Sequence, residues 1–141
     1  MASTLKVEIV SAEEAIYSGE ATMVSASAQM GEVGITPGHT PLITLIKPGD
    51  VRVQPDGDGE ALNVYVSGGI LEVQPKSVTI LADTVMRADD IDEAAARKAK
   101  EEAEKTLADA TPDGEVDFAA VQLQLAEASA QLQFLKRIKR D

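Results

Sequence analysis

The sequence changes character near residue 88, and this change constrains the fold more than any other feature. Nine of the ten glycines and five of the six prolines come before that point, spaced between short apolar runs. Residues 88–130 are instead rich in Ala, Glu, Gln and Lys. Regularly spaced turn residues divide a chain into short strands, whereas long stretches without them permit helices. We therefore expect an all-β domain over residues 1–86 and a helical domain over residues 87–141.

Short strands are predicted in the first domain, because apolar residues recur at every second position between turn signals. Leu5, Val7 and Ile9 alternate with polar residues, which is typical of a half-buried strand. Turns are predicted at residues 18–19 and 47–50, where Gly or Pro interrupts the pattern. About eight to ten strands without helical insertions favour an antiparallel β-sandwich or a flattened barrel.

Two helices are predicted in the second domain. Asp90 and Glu93 resemble a capping box at the start of the first helix. Asp117 is the expected cap of the second helix, whose apolar residues follow at alternating spacings of three and four. A compact turn at residues 111–115 would join the two helices into an antiparallel hairpin.

The hairpin is expected to be thinly packed. The buried stripe of its first helix is predicted at every fourth residue: Ile91, Ala95, Ala99, Ala103 and Leu107. Alanine buries little apolar area, and burial stabilises by only about 25 cal/mol per Å². Helices of this length are marginal on their own. The hairpin must therefore rest on the β domain or on another protein, and more than one resting place is open to it.

The composition excludes several classes of function. The chain has no Cys and one His, so it offers no thiol nucleophile, disulfide or multi-histidine metal cage. Its formal net charge of −11 argues against nucleic acid and anionic lipid as partners. No apolar run approaches the ~20 residues of a membrane span, and the amino terminus lacks the pattern of a signal peptide. We expect a protein that is not an enzyme, has no metal or cofactor, and does not insert into a membrane.

A stiff loop is the first candidate contact surface. Residues 31–49 concentrate Gly and Pro around a short apolar run and carry Glu32, Gly34 and His39. Glycine opens backbone angles closed to other residues, and proline fixes φ. Stiff, polar-tipped loops on a rigid scaffold often form contact surfaces. The alternative is that these residues only make turns between strands.

The basic carboxy-terminal tail is the second candidate. It consists of Lys136, Arg137, Lys139 and Arg140, on a chain that is otherwise acidic. Cations in the last turn of a helix complement its dipole. The same charges could also meet an acidic partner.

Four linked motifs resemble those of a known family. They are Gly31-Glu-Val-Gly-Ile-Thr-Pro-Gly-His-Thr-Pro-Leu42, Ile46-Lys-Pro-Gly49, Ser67-Gly-Gly-Ile-Leu-Glu-Val73 and Leu81-Ala-Asp83. In this order, and followed by an Ala-rich helical hairpin, they closely resemble the epsilon subunit of bacterial F-type ATP synthases. The resemblance covers nearly the whole chain.

This resemblance implies a non-catalytic rotor subunit of a proton-translocating enzyme, peripheral to the cytoplasmic face of the bacterial membrane. The sandwich would bind the gamma subunit and the ring of c subunits. The hairpin would fold against the sandwich, or extend along gamma into the catalytic alpha/beta head and block ATP hydrolysis. Glu32, Gly34 and His39 lie in the motif that matches the family's contact with the c ring. The basic tail would then face acidic surfaces of the head or of gamma.

One position departs from the pattern by which some members of the family bind ATP. That pattern is Ile or Leu, Asp, two variable residues, Arg and Ala at the start of the first helix. Here Ala95 takes the place of the Arg, and Arg97 lies about 200° further around the helix. We therefore expect no ATP cofactor. In the alternative, a nucleotide-sensing module whose hairpin is held down by ATP, Asp92 would be the residue that binds.

Overall fold

A computed structural model describes residues 3–57, 59–110, 114 and 116–140, without the side chains of residues 139 and 140. The chain divides into two units, Met1–Arg87 and Ala88–Asp141. The regular structure described in the first unit is β-strand, and that in the second is helix.

The strands of the first unit are hydrogen-bonded into one network. Their order is β3-β2-β1-β7-β6-β4-β5-β8, with an additional pairing between β2 and β4. The pairs are antiparallel, apart from the parallel pair of β1 and β7. The strands are β1 Leu5–Ser11, β2 Ala15–Ala28, β3 Gly31–Ile35, β4 Leu42–Pro55, β5 Leu62–Val66, β6 Gly69–Gln74, β7 Ser77–Ala82 and β8 Val85–Met86.

The two long strands, β2 and β4, each take part in two sheets. The first half of β2 pairs with β1, and its second half pairs with β3 and β4. The first half of β4 pairs with β6, and its second half pairs with β5. The first sheet is therefore β2-β1-β7-β6-β4, and the second sheet is β3-β2-β4-β5-β8. With the halves of β2 and β4 counted separately, the predicted antiparallel sandwich of eight to ten strands is confirmed.

Two predicted turns are wrong, because the chain does not reverse at either place. Residues 18–19 lie inside β2 and pair with β1. Residues 47–50 lie inside β4, and Gly49 and Asp50 already pair with β5. Residues 47 and 48 lie between the ladder with β6, which ends at Ile46, and the ladder with β5, and the strand bends there from one sheet into the other.

The core between the two sheets is aliphatic. Every second residue of the central strands points into it and is fully buried, which is the period-two pattern that the sequence predicted. Because burial removes apolar area from water, this core is the main stabilising contribution to the first unit. Its completely buried Val, Leu and Ile members are Leu5, Val7, Ile9, Val24, Ile35, Val51, Val53, Val64, Val66, Leu71, Val73, Val78 and Ile80.

The second unit is a helical hairpin, as predicted. A short 3₁₀ turn, Ala88–Asp90, precedes α1 at Glu93–Asp109, and α2 follows at Phe118–Arg140. The two helices pack against each other. The predicted joining turn at residues 111–115 lies outside the described residues, except for Gly114.

One helix cap is confirmed and one is wrong. The backbone amide of Ala120 donates to Asp117 Oδ1 at 3.1 Å, so Asp117 caps α2 as predicted. Asp90 does not cap α1, because it belongs to the 3₁₀ turn. The cap is Asp92, whose Oδ1 accepts from the amide of Ala95 at 3.0 Å.

The buried stripe of α1 follows the prediction except at Ala95. Ile91 and Ala103 are buried, and Ala99 and Leu107 are half-buried, as predicted. Ala95 is exposed, and Ala96 is buried in its place. Ala96 and Ala103 are seven residues apart, which is two helical turns and places both on one face of α1.

We predict that Gly69→Ala destabilises the first unit by about 3 kcal/mol or more, because the new side chain has no room. Gly69 has φ 147°. A Cβ there would collide with the carbonyl oxygen of Leu81 and would lie 2.9 Å from the Cα of Ala82. Gly57→Ala is the matched control, since φ is 84° and no atom lies within 4 Å. The control should cost only about 1–2 kcal/mol. Equal losses of unfolding free energy in urea would contradict the prediction.

Candidate partner-binding surfaces

The outer face of the first sheet carries a continuous row of apolar side chains. Leu45 pairs with Ile70, Ile70 with Leu81, and Leu81 with Val10. Directly paired residues of neighbouring strands project to the same face. Leu45 is 54% exposed, Ile70 41% and Leu81 47%. These four residues, which cross β4, β6, β7 and β1, are called the apolar row below.

The neighbouring row on the same face is largely polar. Ile43 pairs with Glu72, Glu72 with Thr79, and Thr79 with Glu8. Three residues of the apolar row, Val10, Ile70 and Leu81, also line a shallow depression together with Ser11 and Asp83. An exposed apolar patch with a polar rim is typical of a protein–protein contact surface.

The apolar row is not among the surfaces predicted from the sequence, although the sequence contains a signal for it. The run Leu42–Ile46, the short apolar run within residues 31–49, is apolar at four of its five positions. The structure buries Ile46 and half-buries Leu42 and Thr44, but it leaves Ile43 and Leu45 exposed. A strand that is apolar on both faces is usually covered on both faces, so the run indicates a surface that a partner covers.

Glu32 and Gly34 lie on an edge strand, so the prediction that places them in a loop is wrong. Glu32 pairs with Ser27 and Gly34 with Ser25, which makes both part of β3 at the end of the second sheet. Both residues are exposed. A Cβ at Gly34 would lie 3.0 Å from the Met23 side chain. The edge therefore presents a carboxylate beside a flat stretch of backbone.

His39 lies in the segment that joins β3 to β4. The amide of Gly38 donates to the carbonyl oxygen of Pro75 at 2.7 Å, which ties this segment to the turn between β6 and β7. His39 Nδ1 lies 2.6 Å from the carbonyl oxygen of Thr40, so Nδ1 is the ring nitrogen that donates. Nε2 is thus the ring nitrogen left to accept a hydrogen bond.

Glu32 and His39 are not brought together. Glu32 follows Gly31, whose partner Ala28 also pairs with Ile46. The His39 segment is tied to Pro75, which lies beyond the pair of Leu42 and Val73. Four residues of an extended strand span about 13 Å. The two candidate residues therefore stand toward opposite ends of the first half of β4.

The basic tail lies at the end of α2. Lys136 and Arg137 are exposed. The backbone of Lys139 and Arg140 continues the helix, and their side chains lie outside the described part of the chain. Lys136 and Arg137 thus lie near the carboxyl end of a helix, where its dipole favours positive charge.

Asp92 and Arg97, at the candidate nucleotide site, make local contacts at the start of α1. Asp92 accepts the amide hydrogen of Ala95, so its carboxylate caps α1. Arg97 Nη2 lies 3.2 Å from Glu93 Oε1, one turn back along the helix. Within the described ranges, no cluster of three or more His, Asp or Glu side chains could hold a metal ion. In that same part of the chain, no buried side-chain nitrogen or oxygen is left without a hydrogen bond.

In the described part of the chain, no helix is long and apolar enough to cross a membrane.

A β-sandwich followed by a helical hairpin defines a class of protein, and family models match both parts. Residues 4–88 match the ATP synthase delta/epsilon chain β-sandwich domain, and residues 89–136 match the long α-helix domain of the same chain. The chain belongs to the epsilon chain family of ATP synthase and is a non-catalytic accessory subunit of that enzyme. The predicted resemblance is confirmed.

Relatives from several bacteria match the chain over nearly its whole length. The ATP synthase epsilon chain of Alkalilimnicola ehrlichii is 59% identical over 138 residues, which are 98% of this chain and 96% of the relative. That of Nitrosococcus oceani is 57% identical over 141 residues, which are 99% of this chain and 98% of the relative.

Two solved structures share the fold. One is of Euglena gracilis mitochondrial ATP synthase with OSCP, F1 and c-ring; it matches with a TM-score of 0.80, 19% identity, and coverage of 99% of this chain and 82% of that one. The other is of the central stalk and c-ring of Tetrahymena thermophila mitochondrial ATP synthase, with a TM-score of 0.57, 12% identity, and 95% of both chains covered. At these identities the likeness concerns the fold alone.

We predict that Asp92→Ala destabilises the hairpin by about 1 kcal/mol, because the amide of Ala95 loses its acceptor. Asp92→Ser should restore most of the loss, since serine caps helices about as well as aspartate. Thermal unfolding followed by helical circular dichroism measures both variants. A serine variant as unstable as the alanine variant would show that Asp92 does more than cap.

Proposed function

We propose that this chain is a rotor subunit of a proton-translocating F-type ATP synthase. It links the gamma subunit to the ring of c subunits, and its hairpin restrains ATP hydrolysis. The β-sandwich, residues 1–86, is the docking domain, and the hairpin, residues 87–141, is the regulatory domain. The observation that carries this proposal is the exposed apolar row on a rigid sandwich in a chain of the epsilon family.

The apolar row is the proposed contact with gamma. Fully burying a Leu or Ile side chain stabilises by about 1.5–3 kcal/mol. Leu45, Ile70 and Leu81 are about half exposed on the outer face of the sheet, so a partner can bury the remaining area. The sheet beneath them is fixed by paired strands on both sides. A rigid apolar surface loses little conformational entropy on binding, so more of the burial energy appears as affinity.

The exposed edge at Glu32 and Gly34 is the proposed contact with the c ring. The edge strand presents a carboxylate at the margin of the second sheet. His39 stands toward the other end of the sandwich, so it is a separate contact on the rotor, with Nε2 as the acceptor for a partner's donor.

The second helix is the proposed inhibitory element. From Phe118 to Leu135 it carries one charged residue, Glu127, whereas nine of the seventeen residues of α1 are charged. Phe118 and Leu123 are exposed in the hairpin. A helix with so little charge can be buried on all sides at small desolvation cost. It therefore suits an extended position along gamma and into the catalytic alpha/beta head.

The basic tail would complete that inhibitory contact. The tail residues, Lys136, Arg137, Lys139 and Arg140, follow the segment of α2 from Phe118 to Leu135, in which Glu127 is the one charged residue. In the extended position they would face acidic surfaces of the head or of gamma, with an attraction that salt screens.

Nucleotide is not expected to set the hairpin position in this chain. Asp92 caps α1, and Arg97 pairs with Glu93. Ala95 stands at the position where the nucleotide-binding pattern has an Arg. The subunit would be held to the cytoplasmic face of the bacterial membrane through its rotor partners.

We predict that Ile70→Asp weakens gamma binding at least tenfold, because the new carboxylate must be desolvated in the interface. The fold should persist, since Ile70 is on the outer face. Thr79→Asp, on the neighbouring polar row, is the matched control and should bind within about twofold of the original chain. Titration of labelled gamma measures both. Equal affinity of Ile70→Asp and the original chain would remove the apolar row from the interface.

Deleting residues 88–141 should leave the chain able to join the complex, because the core of the sandwich lies entirely in the first unit. ATP hydrolysis by the assembled complex should rise, since the inhibitory helix is gone. Assembly is measured by co-purification with gamma, and hydrolysis by phosphate release. Hydrolysis that does not change after the deletion would refute the inhibitory role of the hairpin.

A further inference from the structure

An open cavity lies in the first unit at a place where four segments of the chain meet. Its volume is about 490 Å³. Small-ligand sites in proteins usually have volumes of about 300–1,000 Å³. The walls come from the start of β1, from β2, from the segment between β3 and β4, and from the turn between β6 and β7. The cavity shares no residue with the apolar row or with the Glu32 edge, so the contacts proposed above do not explain it.

Main-chain hydrogen bonds hold the four segments together. The amide of Lys6 donates to the carbonyl oxygen of Lys76 at 2.9 Å, which joins β1 to the turn between β6 and β7. The amide of Gly38 donates to the carbonyl oxygen of Pro75, which joins the segment between β3 and β4 to the same turn. Lys6 also pairs with Glu20 of β2. A site with fixed walls loses little conformational entropy when a ligand binds.

Two lysines give the lining of the cavity an excess of positive charge. Its charged residues are Lys6, Lys76 and Glu20, two cations and one anion, whereas the formal net charge of the chain is −11. Lys76 makes no ion pair within the described part of the chain. Lys6 Nζ lies 3.5 Å from Glu8 Oε1, and the two side chains are 63% and 43% exposed. Exposed pairs of this kind contribute little free energy, so Lys6 can turn toward a ligand at small cost.

Glu20 forms its hydrogen bond with Thr4 instead of with Lys6. Thr4 Oγ1 donates to Glu20 Oε2 at 2.5 Å, although Lys6 is the residue directly paired with Glu20 across the strands. Among the described residues, none donates to Oε1 of the same carboxylate. The lining therefore offers an oriented acceptor as well as two cations.

These groups determine the chemistry of a complementary ligand. Two lysines favour a phosphate group, for which the lysine ammonium is a common ligand as a point charge. A carboxylate beside them repels a bare anion, so it selects a ligand that also carries a hydroxyl donor. The rings of Pro37 and Pro75 offer apolar surface to a short carbon skeleton. A small phosphate monoester with free hydroxyl groups meets all three conditions.

We propose that this cavity binds a small, hydroxylated phosphate monoester of the sugar phosphate class. Its phosphate lies between Lys6 and Lys76, and one of its hydroxyl groups donates to Glu20 Oε1. The proposal is independent of the proposed function, because the site needs no residue of a partner. A ligand that bridges β1 and the turn between β6 and β7 also stabilises the first unit, since it binds only the folded chain.

The test titrates the full chain with glucose 6-phosphate in a calorimeter. Sulfate and glucose are titrated in parallel, because they represent the two halves of this probe. Glucose 6-phosphate should bind at least about tenfold more tightly than either half, since the ion pairs and the hydroxyl contact act together. It should also raise the unfolding temperature of the chain.

A double lysine variant tests the phosphate end of the site. Lys6→Gln combined with Lys76→Gln should weaken the binding of glucose 6-phosphate at least about tenfold, because both cations are removed. Lys98→Gln combined with Lys105→Gln is the matched control, since it removes two exposed lysines of α1. The control should bind within about twofold of the original chain. Urea unfolding without ligand checks that both variants are folded.

Glu20→Gln tests the hydroxyl end of the site. Sulfate should bind this variant more tightly than the original chain, because a repulsive charge is removed. The preference for glucose 6-phosphate over sulfate should fall at least about threefold, because an amide oxygen is a weaker acceptor than a carboxylate. A preference that does not change would refute the role of Glu20.

Three results would overturn the inference as a whole. They are the absence of glucose 6-phosphate binding at millimolar concentration, an affinity that the double lysine variant leaves unchanged, and sulfate binding as tight as that of glucose 6-phosphate.

Discussion

The pairing of β2 with β4 is the interaction on which the rest of the structure depends. Both strands leave one sheet and enter the other, and their ladder closes the sandwich along its length. This closure places Val24, Val51 and Val53 in the core. The same ladder ends at the pair of Ala28 and Ile46, which fixes the base of the turn between β2 and β3 and, one residue along, the position of Leu45 in the apolar row. Core and proposed contact surfaces are thus set by one register.

Much of the fold could be predicted from the sequence, because alternation of apolar residues and the loss of Gly and Pro after residue 88 are local signals. The length of β2 and β4 could not. Gly19, Pro48 and Gly49 are residues that make turns in one setting and bends in another, and only long-range pairing decides between them. The first cap had the same difficulty, since Asp90 and Asp92 are equally good caps until the 3₁₀ turn selects the second.

The candidate contact residues come from the sequence, whereas their arrangement comes from the structure. Glu32, Gly34 and His39 were recognised through a motif, but a motif does not reveal that an edge strand carries the first two and a separate segment the third. The apolar row was missed because exposure depends on what covers a residue. Sequence can mark Leu45 or Ile70 as apolar, but it cannot say which face of a strand the protein leaves open.

The two units divide their tasks along physical lines. The sandwich has an aliphatic core and paired strands, so it suits the proposed lasting contact with gamma. Among the described residues, the hairpin buries fewer apolar side chains than the sandwich, and three of them are alanines; they are Ile91, Ala96, Ala103, Ala128, Phe134 and Leu135. Less free energy therefore holds its helices together, and its second helix carries little charge. A thin packing interface makes a second position accessible at low cost. The most direct test is to titrate gamma with the isolated first unit, residues 1–87, and with the full chain. We predict that the first unit and the full chain bind gamma with affinities that agree within about twofold. A first unit that folds but does not bind gamma would contradict the proposed role of the sandwich.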